Sequence, residues 1–235
     1  MSIGNPSTPL QSFVPPLEPG DRLTRAEFER RYEAMPHLKK AELIEGIVYM
    51  PAAVRHGRHG RPHSYMIQWL GSYVENTPGV DCGSESSARL DMDNEPQPDG
   101  LLLILPECGG QCQISEDDYI ENAPELVAEV SSSTVSFDLH TKKNVYRRCG
   151  VQEYIVWRVL DRQIDWFLLQ DGEFVPQTPD QDGVYRSKKF PGLWLNVPAM
   201  IAGRLKRVRQ TLEKGLATEE HAKFVAQLKY QFPDE

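Results

Sequence analysis

The chain has 235 residues, 26 of them basic and 34 acidic, for a net charge of −8, and 40% of its residues are hydrophobic. That is enough for one substantial core, with apolar and charged fractions ordinary for a globular protein. The negative balance argues against passive coating of nucleic acid, and no apolar run approaches the roughly 18 residues that a membrane-spanning helix needs.

Residues 1–20 hold five prolines and little periodicity, the pattern of a flexible or loosely docked N-terminal arm. Met1–Pro6 has neither a basic region nor an apolar stretch, so no signal peptide is expected and a cytoplasmic protein is the default. Thr24-Arg25-Ala26-Glu27 has capping-box spacing and predicts a helix through about Glu33. Leu43-Ile44 and Ile47-Val48 flank Glu45-Gly46, which reads as a tight hairpin. Residues 55–63 read as a polar loop. A helix follows Pro62, with Met66, Leu70, Tyr73 and Val74 at helical spacing.

An extended strand is expected over 80–92, a buried one over Leu101–Leu105, and a long loop over 106–124. Glu125–Ser131 reads as the next strand. Asp138 reads as the N-cap of a helix ending at Cys149, before Gly150. Strands then fall near 154–157 and 164–169, with hairpin turns at Asp171-Gly172 and Asp182-Gly183. Helical patterns return over about 198–214 and 218–230. The order predicts an α+β (α/β-like) fold with a mixed sheet. The domain boundaries fall near 20 and 200, with a helical C-terminal extension over 201–235.

Three residues carry the chemistry. Asp99 sits between Pro98 and Gly100 at the mouth of an apolar strand; the same tripeptide also makes a good β-turn. Glu129 lies inside Leu126-Val127-Ala128-Glu129-Val130, where a charge is costly unless paired or bound to metal. A solvated strand face is the alternative. Lys142 follows four residues after Asp138, which also allows a helix-surface ion pair. Two acids and a lysine in this order suit a hard divalent ion, Mg²⁺ or Mn²⁺, and an activated water attacking a phosphodiester.

Other groups have two readings each. Glu45 is an accessory acid or a turn residue. His56, His59 and His63 could make a zinc or nickel site, or His59 could assist at the phosphate. Cys108 and Cys112 are half a zinc site or free thiols. Arg55, His56, Arg58, His59, Arg61 and His63, and then Lys142, Lys143, Arg147 and Arg148, are two clusters that could supply a local basic groove; Lys143, Arg147 and Arg148 contact nucleic-acid backbone or lie on a solvated helix face.

The ordered set Glu42-Leu43-Ile44-Glu45-Gly46, His59-Gly60, Pro98-Asp99, Pro124 through Ser131, Ser133-Thr134, Asp138, Lys142, Tyr146 and Gly150-Val151-Gln152-Glu153-Tyr154 resembles the Uma-two family. Pro191-Gly192-Leu193-Trp194-Leu195 is similar to that family's terminal strand, so the resemblance covers about 22 to 200. The family is a group of restriction-endonuclease-like proteins in the PD-(D/E)-x-K nuclease superfamily. The resemblance implies a mixed central sheet flanked by helices and metal-dependent DNA cleavage. Asp99 and Glu129 would be the metal ligands, Lys142 the water-activating group, and Glu45 or His59 accessory. The lysine stands on the following helix rather than two residues after Glu129. A catalytically inactive binding or regulatory module on the same fold is the alternative function, and a homodimer is the arrangement suited to cutting both strands.

Overall fold

The computed structural model describes residues 13–51 and 55–229. Helix α1 (Arg25–Glu33) buries Phe28 against the hairpin of β1 (Glu42–Ile44) and β2 (Ile47–Tyr49). Both turn residues of that hairpin, Glu45 and Gly46, take positive φ of 53° and 72°, as a two-residue turn between twisted strands requires. The capping box does not form. The Thr24 side chain makes no cap bond, and the Glu27 carboxylate is taken by Arg30 and Arg31.

Residues 55–63 are more ordered than a loop: His56–Gly60 forms a π-type turn that runs directly into α2 (Arg61–Val74). Helix α2 buries Met66, Leu70 and Tyr73 of the residues spaced for it, with Trp69 beside them, and leaves Val74 half-buried. The strand expected over 80–92 divides into β3 (Val80–Gly83) and β4 (Ala88–Arg89). Between them Glu85 takes a φ of 54°, which extended pairing does not accommodate. Strand β5 (Gly100–Ile104) follows. The expected long loop carries β6 (Gln113–Ile114) and β7 (Ile120–Glu121), which join β4 in a small three-stranded sheet.

After β8 (Leu126–Ser131) the chain is helical from α3 (Val135–Phe137), through a π-type turn at Asp138–Lys142, to α4 (Lys143–Cys149). Asp138 therefore lies inside the helical run and is not its N-cap. Its carboxylate is buried and accepts from the hydroxyls of Ser131 and Thr134. Gly150, at φ 90°, ends the helix.

Strands β9 (Glu153–Arg158), β10 (Gln163–Gln170) and β11 (Glu173–Pro176) form a meander, with Asp171-Gly172 as the second turn. Asp182-Gly183 turns the chain but joins no paired strands. It leads into β12 (Val184–Arg186), which pairs with β13 (Trp194–Asn196). The helix expected over 198–214 breaks at Gly203, φ 68°, into α5 (Val197–Ile201) and α6 (Leu205–Leu216). The last described helix is α7 (Glu219–Leu228).

The central six-stranded sheet has the order β11-β10-β9-β8-β5-β3. Only β8 and β9 are parallel, because the α3–α4 run carries the chain back between them. Alternation along the strands feeds two cores. Leu102, Ile104, Leu126, Ala128 and Val130 meet α2, with Val208, Leu212 and Leu228 of the C-terminal helices in the same cluster. Leu101, Leu103, Val127, Tyr154 and Val156 meet Val145 and Tyr146 of α4. Each fully buried aliphatic or aromatic side chain contributes about 1.5–3 kcal/mol. The fold is thus a mixed α+β sheet between helical layers, with a helical C-terminal region. Of the segment read as an arm, residues 1–12 lie outside the described residues, and Leu17 is buried in the cluster around Phe28. Among the described residues no helix is long and apolar enough to cross a membrane.

Candidate active site

Strand register brings the two acids together. Strands β5 and β8 are antiparallel with Gly100 opposite Ala128, so one further step sets Asp99 opposite Glu129. Residues opposite one another share a face of the sheet, with Cβ atoms about 5 Å apart. On the opposite face Gly100 lets α2 pack close to the sheet, since a Cβ there would lie 3.1 Å from Leu70 and 3.2 Å from Ile67.

Asp99 is buried but fully engaged. Its Oδ2 accepts from the Val130 N–H at 2.7 Å, and His59 Nε2 lies 3.1 Å from Oδ1. Lys40 Nζ stands 3.7 Å away. His63 donates from Nε2 to the Asp99 carbonyl at 2.7 Å. Burial by itself would push the Asp99 carboxyl up, but His59, Lys40 and the Val130 N–H outweigh it and leave it at about 2. In turn, the hydrogen bond to Asp99 raises the His59 imidazole against the effect of burial.

Glu129 Oε1 accepts from Lys142 Nζ at 2.9 Å and from the Tyr146 hydroxyl at 2.8 Å. Lys142 also donates to Glu42 Oε1 at 2.8 Å, and that oxygen accepts from the Gln97 N–H as well. Burial pushes the Glu129 carboxyl up; Lys142 opposes the shift, and the charges of Asp99, Asp138 and Glu42 add to it. Burial alone would lower Lys142, yet Glu129, Glu42 and Asp138 hold its ammonium well above the ordinary lysine range. Lys142 is therefore a fixed cation here.

Asp99, Glu129 and Lys142 line one cavity of about 530 Å3, together with His59, Lys40 and Glu42. The expected surface ion pair between Asp138 and Lys142 is not made. In the π-type turn the Lys143 N–H bonds to the Asp138 carbonyl five residues back, so the usual four-residue alignment is lost. The solvated-face alternative for Glu129 fails too, because β8 is buried along its whole length.

Of the residues singled out from sequence, Asp99, Glu129, Lys142 and His59 come together. Glu45 does not: it sits exposed in the hairpin turn, paired with Arg148 at 2.8 Å. The acid in the site is Glu42, three residues earlier. Its signal was an acid opening the apolar pair Leu43-Ile44, where both strand faces are buried. Lys40 gave no such signal. Of the two basic clusters, Arg55 and Arg58 line the cavity. Lys143 lies over the Phe167 ring at 3.5 Å, and Arg147 bonds the Gly172 carbonyl. Cys108 packs against the core beneath α2, whereas Cys112 lies in the core beneath α4.

Among the described residues, no three His, Cys, Asp or Glu side chains already stand as a metal-binding group. Asp99 and Glu129 are instead turned onto His59 and Lys142. The side chains are nonetheless of the type a hard divalent ion takes, since Glu42, Asp99, Glu129 and Asp138 line one cavity with carboxylate oxygens.

A family described as "Uma2: Putative restriction endonuclease" matches residues 25–198. No curated protein matches. Among solved structures, a protein of Anabaena variabilis titled a "putative nuclease belonging to DUF820" is similar in fold, with a TM-score of 0.55 and 16% identity over 74% of this chain and 96% of that one. The match spans α1 to α5 and so contains the sheet, both π-type turns and every residue on the cavity floor; the chain belongs to the Uma2 family of restriction-endonuclease-like proteins.

Proposed function

We propose that the cavity is the active site of a metal-dependent endonuclease acting on DNA, with Asp99 and Glu129 as ligands of Mg²⁺ or Mn²⁺. The observation that carries this reading is the register of β5 and β8, which sets the two carboxylates opposite each other beside Lys142. When bound, such an ion acidifies a water and neutralises charge on the phosphate.

The chain's own residues do the rest. Glu42 and Glu129 hold the Lys142 ammonium between β1 and β8. From there it orients the attacking water and stabilises the extra negative charge that develops on the phosphate. Hydrogen-bonded to two carboxylates, its ammonium is a donor to that water. His59 fixes the Asp99 carboxylate from one side and the Val130 N–H from the other, so the metal-binding oxygens are oriented before substrate arrives. Tyr146 fixes Glu129 in the same way.

Incubation of the full chain with supercoiled plasmid and with circular single-stranded DNA, in Mn²⁺, tests the reading against an Asp99→Ala control. Cleavage of either substrate by the native chain, lost in the variant, supports it. Cleavage persisting equally in Asp99→Ala overturns it.

A further inference from the structure

The cavity also constrains the form of its substrate. Asp99 and Glu129 are each only 4% exposed, on the floor of a space of about 530 Å3. Pockets of roughly 300–1,000 Å3 enclose a ligand of drug size, which is the scale of one nucleotide unit and not of a stacked base pair. The scissile phosphate lies on the outside of a duplex, and only a strand with unpaired bases can also present a base face to the wall of such a space.

The wall beside the acids carries two aromatic rings, and the opening carries two arginines and Glu85. Tyr49 on β2 and Phe137 on α3 line the cavity with ring centroids 4.5 Å apart and planes tilted by 37°. Both are half-buried and pack against the core beneath α4, so the rings are held in place and still present area to the cavity. Leu160, 57% exposed, adds an apolar edge. Arg55 and Arg58 are exposed at the same opening, and among the described residues neither forms an ion pair. A basic track beside aromatic faces is the arrangement that binds unpaired nucleic acid without reading its sequence.

We infer that the substrate enters this cavity as a single strand of nucleic acid, with an unpaired base against Tyr49 and Phe137 and its backbone along Arg55 and Arg58. The inference deepens the nuclease reading and rests on it for what happens to the bound strand. A duplex with one nucleotide turned out of the stack is the competing form.

Fluorescence anisotropy with the full chain separates them. Calcium replaces magnesium, and the probes are a fluorescein-labelled DNA oligonucleotide, its duplex and an RNA of the same sequence. The single strand is expected to bind about tenfold tighter than the duplex or better, with DNA and RNA both bound if the 2′-hydroxyl is not read. Tyr49→Ala should weaken single-strand binding roughly five- to a hundredfold, and Tyr49→Phe should keep it. Arg58→Ala, at an exposed position, should weaken binding and flatten its salt dependence. Equal or tighter binding of the duplex by the native chain overturns the inference, whatever the Tyr49 variants do. Single-strand preference without cleavage of any substrate supports this inference while removing the nuclease reading. Duplex cleavage with equal binding of both forms keeps that reading and overturns this inference.

Discussion

Lys142 Nζ donates to Glu42 Oε1 at 2.8 Å, across 100 residues of sequence. The same ammonium serves Glu129 at 2.9 Å, so a single cation ties the β1 hairpin to the central sheet and to the helical run after β8. Removing one member of a buried ion pair leaves the others uncompensated. Lys142→Met is expected to destabilise the chain by about 3–5 kcal/mol in urea unfolding and to abolish cleavage. Adding Glu42→Gln to Lys142→Met should recover part of the stability and none of the activity. Full activity in Lys142→Met would remove the lysine from the mechanism.

Metal binding should be visible without any substrate. Mn²⁺ at a hundredfold excess over its Kd stabilises by about 2.7 kcal/mol, read as a rise in Tm. In Asp99→Asn the rise is expected to vanish. Glu129→Gln should behave likewise, since both carboxylates are assigned to the same ion. An undiminished rise in both variants would place the metal elsewhere.

Glu95 gives a pH dependence distinct from the active site. It is 1% exposed, and neither carboxylate oxygen has a hydrogen-bond donor. Burial, with the neighbouring Glu29 carboxylate, pushes it up to about 8 from a usual 4.5. A group raised on folding stabilises fully below its unfolded pKa and loses that contribution as pH rises to its folded one. The stability conferred by Glu95 is therefore present below about pH 4.5 and is lost between there and about pH 8. Glu95→Gln should stabilise the chain at pH 8 by on the order of 2 kcal/mol and flatten the dependence of Tm on pH above 5. An unchanged profile would show that Glu95 ionises freely.

Glu45 separates the sequence motif from the site. It is exposed and pairs with Arg148 at the surface, an interaction worth about 0–1 kcal/mol. Glu45→Ala is expected to leave cleavage intact and to shift Tm only slightly, whereas Glu42→Ala should lower both. Loss of cleavage in Glu45→Ala, measured on the same DNA substrate, would restore it to the mechanism.

The strands and helices were readable wherever a continuous local pattern set them. Leu101–Ile104 and Leu126–Val130 are buried on both faces, and α2 buries Met66, Leu70 and Tyr73 of the residues spaced for it. The departures arose where competing contacts overrode a local signal. Glu27 met two arginines and left Thr24 uncapped. Glu85 turned the chain out of the sheet, and Gly203 divided the helix beyond Pro198.

The sequence by itself determined that an acid, Glu129, stands inside the apolar run of β8, and left its burial and a solvated face both open. It also determined the order of acid, acid and lysine. Only the tertiary structure decided their partners. Register between β5 and β8 is a non-local quantity, and it alone places Asp99 opposite Glu129. The π-type turn at Asp138–Lys142 changes the phase of the helix, so the 3.6-residue period could not say where Lys142 points. The hairpin that holds Glu42 at the cavity and turns Glu45 away is fixed by its packing over Phe28 and Leu17. The residue types needed for the site are thus written locally, whereas their convergence depends on strand pairing and helix phase, which form only when the distant segments pack.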